Sequence, residues 1–325
     1  MKFRLALLTA LAACSAAAYA QPAHAQPANT RPITIVVTTA PGGSVDAIAR
    51  QVAQELARKQ GRTVVVDNKP GANGNIAASF VRHAPADGNT LLMLSSSTFT
   101  LNPLILEKIP FDPVKDFAPV AMTARLNMVL VVNPKVGATD VKSFVSQMKA
   151  RPGALNYGSS GNGSLPQVAA ELLAMRTGTS ASHVPYKGIA PALTDLLSGQ
   201  IDYMFDSGTA MTQISSGKLK ALAVIGPDRL AIFPEVPTFK EAGIAGMETA
   251  SGWHGIFAPA GSPPQVLRAL NTDINAILQG QAMRERMQAM GFESVAISPE
   301  ELGRALKDDL QRLEPVIRQA KIKAD

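Results

Sequence analysis

The sequence predicts an α/β fold with mainly parallel sheets, divided into two units. Three observations point there. From Thr34 onward β-branched apolar runs alternate with stretches of helical period. The run Thr34 to Ala40 breaks at Pro41-Gly42-Gly43 and passes directly into an amphipathic stretch, the strand–turn–helix succession of such folds. At 325 residues the chain exceeds what one core usually takes, yet it has no Gly/Ser-rich hinge, so the strands themselves should carry it between units.

Taken in order, strands are expected at 33–39, 63–67 and 90–94, with helices at 45–60 and 74–83 and a third after Ser97. The run Met128 to Val132, stopped by Asn133-Pro134, reads as a buried strand that opens a second set. That set comprises helix 139–150, strand 155–157, helix 164–177, strand 182–185, helix 189–198 and strands 201–205 and 219–225. A stretch punctuated by Pro227, Pro234 and Pro237 leads to a strand over Trp253–Pro259, then helices at 263–279 and 299–322.

Residues 1–25 read as a secretory signal: Met1-Lys2-Phe3-Arg4 is a short basic start, and Leu5 to Ala20 is apolar but too short and alanine-rich for a permanent span. Cleavage is offered by the triplets Ala18-Tyr19-Ala20 and Ala23-His24-Ala25. The alternative is Leu11-Ala12-Ala13-Cys14, which resembles a lipobox and would leave a lipid-anchored protein. A soluble, exported mature protein is expected, without disulfides, because Cys14 is the sole cysteine. The net charge of +6 is spread along the chain, and no basic run with interleaved aromatics marks a nucleic-acid surface.

Open α/β sheets bind ligands where strand carboxyl ends meet the next helix. The first such loop, Pro41-Gly42-Gly43-Ser44-Val45-Asp46, lets backbone approach a ligand and aims a helix N-terminus at it. Asp46 either holds a ligand amino or hydroxyl group or caps the helix. The second loop, Asn68 to Gly74, offers positive-φ positions around Asn73 and serves equally well as a ligand loop or a plain turn. Ser96 closes the strand that follows. The third, Tyr157-Gly158-Ser159-Ser160-Gly161-Asn162-Gly163-Ser164, is a second anion nest, with Ser164 as cap and Pro166 in the first helical turn. The fourth joins Tyr186 and Lys187, at a strand end, with Asp206 and Ser207 at another.

Catalytic signatures are missing. Asn162 stands where a nucleophile elbow needs glycine, and no Gly-Lys-Ser/Thr closes a phosphate loop. The four histidines, His24, His83, His183 and His254, show no metal-ligand spacing. His183 with Ser160 and Asp206 would make a hydrolytic trio, but any globular chain offers one. His254, beside Trp253, reads as core, as do Met204 and Phe205.

Several motifs together resemble the Bug family, the TctC-like extracytoplasmic solute receptors of tripartite tricarboxylate transporters. They are Arg31-Pro32 before the first strand, Pro41-Gly42-Gly43 with Asp46, Asn68-Lys69-Pro70-Gly71-Ala72 with Gly74, and Pro85-x-Asp87-Gly88. Asp116-Phe117 before Pro119-Val120, Val184-Pro185-Tyr186-Lys187-Gly188, and Trp253-x-Gly255 before Ala258-Pro259 complete the set. The resemblance implies a type II-like, two-lobe Venus flytrap with two crossovers: 26–130 and 252–325 in one lobe, 131–251 in the other. It implies no enzyme activity and no cofactor. A small carboxylate would lie between the lobes, held through water by Gly42, Gly43 and Asp46 and directly by Ser159, Ser160, Gly161 and Asn162. The ligand-binding set is then Pro41, Gly42, Gly43, Asp46, Asn73, Ser96, Ser159, Ser160, Gly161, Asn162, Ser164, Tyr186, Lys187 and Asp206. Large and small membrane subunits would be the partners of a periplasmic monomer. His254 departs from the family, where an aromatic residue is common. A sensor-coupled receptor and a secreted hydrolase are the competing functions; the hydrolase needs a nucleophile and base that the chain does not display.

Overall fold

The computed structural model describes residues 31–324; the expected leader, with Cys14, lies outside the described residues. The chain runs β1 (Ile33–Val37), α1 (Ser44–Gln60), β2 (Val64–Asn68), α2 (Asn75–Arg82), β3 (Thr90–Ser95), α3 (Ser97–Thr100), α4 (Asn102–Ile105) and β4 (Phe117–Leu126). A second run follows: β5 (Met128–Val132), α5 (Val141–Ala150), β6 (Asn156–Ser159), α6 (Leu165–Thr177), β7 (Ser182–Pro185), α7 (Ile189–Ser198), β8 (Tyr203–Asp206), α8 (Met211–Ser215) and β9 (Lys220–Ile225). It closes with β10 (Gly252–Pro259), α9 (Pro264–Gln279), α10 (Gln281–Ala289), β11 (Phe292–Ser294) and α11 (Pro299–Gln319).

Two sheets result, ordered β11-β4-β10-β3-β1-β2 and β7-β6-β8-β5-β9. They are mixed rather than mainly parallel. β1 pairs in parallel with β2 and β3, and β6 with β7 and β8. β10 runs against β3 and β4, and β5 against β8 and β9. The reason is the crossovers: β5 and β10 arrive from the opposite lobe, so they do not share the direction that βα winding imposes on their neighbours. Asn127 alone separates β4 from β5.

The expected elements omit α4, β4, α8, α10 and β11. In β4 the sequence Phe-Ala-Pro-Val-Ala-Met-Thr-Ala-Arg-Leu is alanine-rich and carries Pro119, which argues against a central strand. The fold accommodates it because β11 reaches only Ala124–Leu126, leaving Pro119 on a stretch with no strand on that side. There the Asn271 side-chain amide donates to the Val120 carbonyl at 2.8 Å, supplying a partner that a strand would otherwise provide.

Each sheet has its own core. On α1, Val45, Ile48, Ala49, Val52 and Leu56 recur at helical spacing and bury against Ile33, Ile35 and Val37. Each large aliphatic side chain so buried is worth about 1.5–3 kcal/mol. In the second lobe Phe144, Tyr157, Tyr203 and Phe205 pack over Leu130.

The last helix packs against both cores. It starts at a Ser298–Glu301 capping box and buries Leu302 and Leu306 with Trp253 and Phe257 of the first lobe. Its later residues Leu313, Val316 and Ile317 bury instead with Leu130 and Phe205 of the second lobe. At about 1.5 Å per residue, such a helix is long enough to reach from one core to the other. It forms a third connection. At the changeover the Trp253 indole donates to the Asp309 carboxylate at 2.8 Å, and burial holds that carboxyl above its ordinary pKa despite Trp253 and Arg312.

Candidate functional site

The loops that follow β1, β2, β3, β6 and β8 meet at a cleft of about 700 Å³ between the sheets. Every side chain lining it is uncharged. The first lobe presents Thr38, Thr39, Asn73, Ser97, Thr98 and Asn102; the second presents Ser160, Asn162, Ser164 and Ser207. Apolar contact comes from Ile105, Leu126, Met128, Leu165 and Ile189.

Helices of eight residues or more begin at this cleft from both lobes: α2 behind Gly74 in the first, and α6 behind Ser164 and α7 at Ile189 in the second. Their first amides and dipoles favour negative charge there. The hydroxyls of Thr39 and Ser164, both on cleft-lining residues, are buried without a protein partner. An unpaired buried hydroxyl costs on the order of 1–3 kcal/mol, which a ligand oxygen would recover.

The turn before α2 is left-handed through four residues, with φ of +117°, +47°, +53° and +88° at Gly71, Ala72, Asn73 and Gly74. The Asn73 carbonyl is held by Thr98 Oγ1 at 3.2 Å and by the Asn102 amide at 2.9 Å. A Cβ at Gly74 would meet Thr98 Oγ1 at 2.7 Å, so glycine is required. The turn is therefore built to present residues 71–74 to the cleft.

Of the residues singled out in the sequence, Asn73, Ser160, Asn162 and Ser164 line the cleft. Ser96 lies behind it: its amide donates to the Trp253 carbonyl at 2.7 Å and its Oγ accepts from the Trp253 amide at 3.2 Å, so that Ser95 and Ser97 face the cavity. Pro41 and Gly42 are exposed and Gly43 half-buried, and none of the three lines the cleft. Asp46 is buried and its oxygens are fully engaged. The Gly42 amide donates to it at 2.9 Å, Arg50 Nε at 3.0 Å and the Asn68 side chain at 2.8 Å. Burial opposes its ionisation, but Arg50, Gly42 and Asn68 together keep its pKa below the ordinary aspartate value. Of the two roles open to Asp46, this geometry is that of a loop and helix anchor.

Asp206 is likewise consumed by its own loop, accepting from the amides of Gly208 at 2.8 Å and Ala210 at 2.9 Å and from the Thr209 hydroxyl. Its neighbour Ser207 faces the cleft. The Tyr186 hydroxyl donates to Asp195 at 2.7 Å, and burial with this bond pushes its pKa up to about 12. Lys187 is exposed and is not among the cleft residues. Gly161 has φ +125° and packs against the Tyr186 carbonyl, while Ser159 is buried behind the loop.

The hydrolytic trio does not form. His183 Nε2 lies 2.7 Å from Ser159 Oγ rather than pairing with Ser160, and Asp206 is occupied elsewhere. Among the described residues no cluster of His, Cys, Asp and Glu is placed to hold a metal. Thr39, Thr98 and Asn102 enter the cleft without having been singled out, and Ser207 enters it where its neighbour Asp206 does not. The polar run Ser95-Ser96-Ser97-Thr98, directly after an apolar strand, is the signal that points to part of this group.

An uncharged polar cleft between two α/β lobes, entered by a helix N-terminus from each, defines a solute-binding receptor of the periplasmic type. The chain belongs to the tripartite tricarboxylate transporter family of receptors, whose family model matches residues 48–322. It is 37% identical over 296 residues to the protein BugT of Bordetella pertussis, covering 90% of each chain. Among solved structures it is similar to Rpa4515 of R. palustris with adipate, at TM-score 0.78 and 34% identity, over 91% of this chain and 99% of that one. It is also similar to MatC of Rhodopseudomonas palustris with bound malate, at TM-score 0.73 and 31% identity, over 89% and 99%. These are periplasmic binding receptors of membrane transporters, not enzymes. Among the described residues no helix is long and apolar enough to cross a membrane.

Proposed function

We propose that this receptor captures a small organic carboxylate between its lobes and delivers it to the large and small membrane subunits of a tripartite transporter. The observation that carries the reading is the uncharged cleft with helix N-termini from both lobes and two unpartnered buried hydroxyls, Thr39 and Ser164. Helix dipoles, backbone amides and hydroxyls then meet the ligand's charge in place of arginine or lysine. Adipate and malate, bound in the two relatives, are the first ligands to test. Gly42, Gly43 and Asp46 shape the rim of the first lobe, while Asn73, Ser160, Asn162 and Ser164 supply direct contacts.

The lobes are the moving units, dividing near residues 130 and 251, and the receptor works as a monomer. It reaches the periplasm through cleavage of the leader after residues 20 or 25; lipid attachment at Cys14 is the other route to the same compartment. Thermal-shift screening of a carboxylate panel tests the function, because a ligand at 100 times its Kd adds about 2.7 kcal/mol to stability. A panel of dicarboxylates and hydroxy acids that produces no saturable shift would refute it.

A further inference from the structure

We propose that His183 is a positioning residue for ligand capture: by bonding the buried Ser159 hydroxyl it sets the conformation of the Ser160–Asn162 loop. This rests on the proposed role of that loop as the second lobe's contact with the ligand.

Three hydrogen-bonding contacts converge on Ser159 Oγ. It donates to the Gly161 carbonyl at 3.0 Å, accepts from the Gly161 amide at 3.2 Å, and lies 2.7 Å from His183 Nε2. A hydroxyl has one proton and two lone pairs. With the proton committed to a carbonyl, the imidazole must be the donor, which fixes the Nε2–H tautomer. Ser159 thus grips the N–H and the C=O of one residue, Gly161, at a φ of +125° that favours glycine. Ser160 and Asn162, on either side of that gripped residue, are the ones that line the cleft.

His183 is itself fixed from behind. Its ring stacks on Tyr157 with centroids 4.8 Å apart and 19° between planes. The Tyr157 hydroxyl donates to Glu171 at 2.6 Å, on α6, the helix whose first turn opens onto the cleft. One network therefore ties β6, β7, α6 and the glycine–serine loop into a single arrangement. An imidazole is suited to this place because it offers a flat face for the tyrosine and a donor edge for the serine. Burial lowers the His183 pKa, and protonation would leave the Nε2–H bond to Ser159 in place.

Two substitutions separate the two properties. His183→Phe keeps a ring against Tyr157 and removes the donor; His183→Gln keeps an N–H of similar reach and removes the ring. Calorimetry with adipate and with malate should show His183→Phe binding about five- to tenfold more weakly, the worth of one hydrogen bond, and His183→Gln within about threefold of wild type. Amide hydrogen exchange by NMR on the ligand-free protein supplies the independent arm. Gly161 should exchange faster in His183→Phe and remain protected in His183→Gln, whichever ligand the receptor takes. Unchanged Gly161 protection in His183→Phe would overturn the proposal even if carboxylates bind. If no member of the carboxylate panel binds wild type, the function above fails, and faster Gly161 exchange confined to His183→Phe still supports the positioning role. Equal loss in both variants would assign His183 to packing alone and also overturn it.

Discussion

Gly291 of the first lobe lies directly against Gly208 of the second: a Cβ on Gly291 would sit 3.2 Å from the Gly208 Cα and from the Ser207 carbonyl oxygen. Backbone meets backbone here, beside Ser207, which lines the cleft. A methyl group at this contact would hold the lobes apart. Gly291→Ala should therefore weaken adipate or malate binding and expand the ligand-bound molecule in small-angle scattering. Because Gly291 has φ +80°, some stability is lost through strain alone, on the order of 1–2 kcal/mol. Gly61→Ala is the control: φ is +63°, and nothing lies within 4 Å of the added carbon. It should show the stability loss without the affinity loss, and equal affinity in both variants would count against a closing contact at Gly291.

The strained turn at Ala72 gives a second expectation. Its φ of +47° is costly for any residue with a side chain, and glycine removes that cost. Ala72→Gly should be neutral or stabilising by up to about 1 kcal/mol, where most Ala→Gly changes destabilise. Denaturant unfolding measures it, and a clear loss of stability would show that the Ala72 methyl group packs usefully.

How much was readable in advance depended on whether local sequence or distant contacts decided a residue's place. The strand–turn–helix units were legible because Ile33–Val37 and the α1 stripe state their own periodicities. β4 was not, because Pro119 and its alanines are tolerated only where Asn271, far along the chain, covers the open side. At the site, Ser160 and Ser159 are adjacent and chemically identical, yet one lines the cleft and the other is buried against His183. Only the fold makes that distinction. The carboxylates of Asp46 and Asp206 look available in sequence, but backbone amides of their own loops consume them. The left-handed run at Gly71–Gly74 was half legible: its glycines announce positive φ, whereas Ala72 does not.

His254 makes stability depend on pH. It is buried in β10 near the Phe292 ring, its Nδ1 has no partner, and burial lowers its pKa to about 4. The unfolded chain, with an ordinary histidine pKa near 6.5, binds the proton first. The folded state therefore holds its full stability above about pH 6.5 and loses it as pH falls toward 4, by about 3 kcal/mol from this group. His254→Phe should flatten that part of the stability profile and raise stability most at its acid end, near pH 4. An unchanged profile between pH 4 and 6.5 would show that another group controls it.

Asp46 acts in the same direction but lower on the pH scale. Its folded pKa lies below the ordinary value, so its contribution is present above about pH 4 and is lost as pH falls through the folded pKa. Asp46→Ala leaves the Gly42 amide, Arg50 and Asn68 without their shared acceptor. A cost of about 1–3 kcal/mol is expected at pH 7. Ligand affinity should fall less than stability and equally for adipate and malate, because the effect passes through the loop. Selective loss of one ligand class would instead make Asp46 a direct contact.

The clamp itself is tested by pH and by one hydroxyl. Among the described residues no charged or titratable side chain lines the cleft, burial lowers the pKa of His183, which stands behind the loop and keeps its Nε2–H bond to Ser159 in either protonation state, and the helix N-termini do not titrate. Between about pH 6 and 9 a dicarboxylate ligand also keeps its charge, so its Kd should stay constant across that range, unlike a site built on histidine. Ser160→Ala removes a donor from the cleft while leaving the Ser159–Gly161 grip intact. The expected loss is about 1.5–3 kcal/mol, the range for a hydrogen bond to a charged group, or roughly ten- to a hundredfold in Kd. Salt should reduce affinity little, because the donors are partly buried dipoles rather than exposed ions. Titration calorimetry on the parent and on Ser160→Ala at pH 6, 7.5 and 9 checks all of this. Affinity that collapses as pH rises through the histidine range, or a Ser160→Ala variant that binds as tightly as the parent, would rule out an anion clamp made of neutral donors.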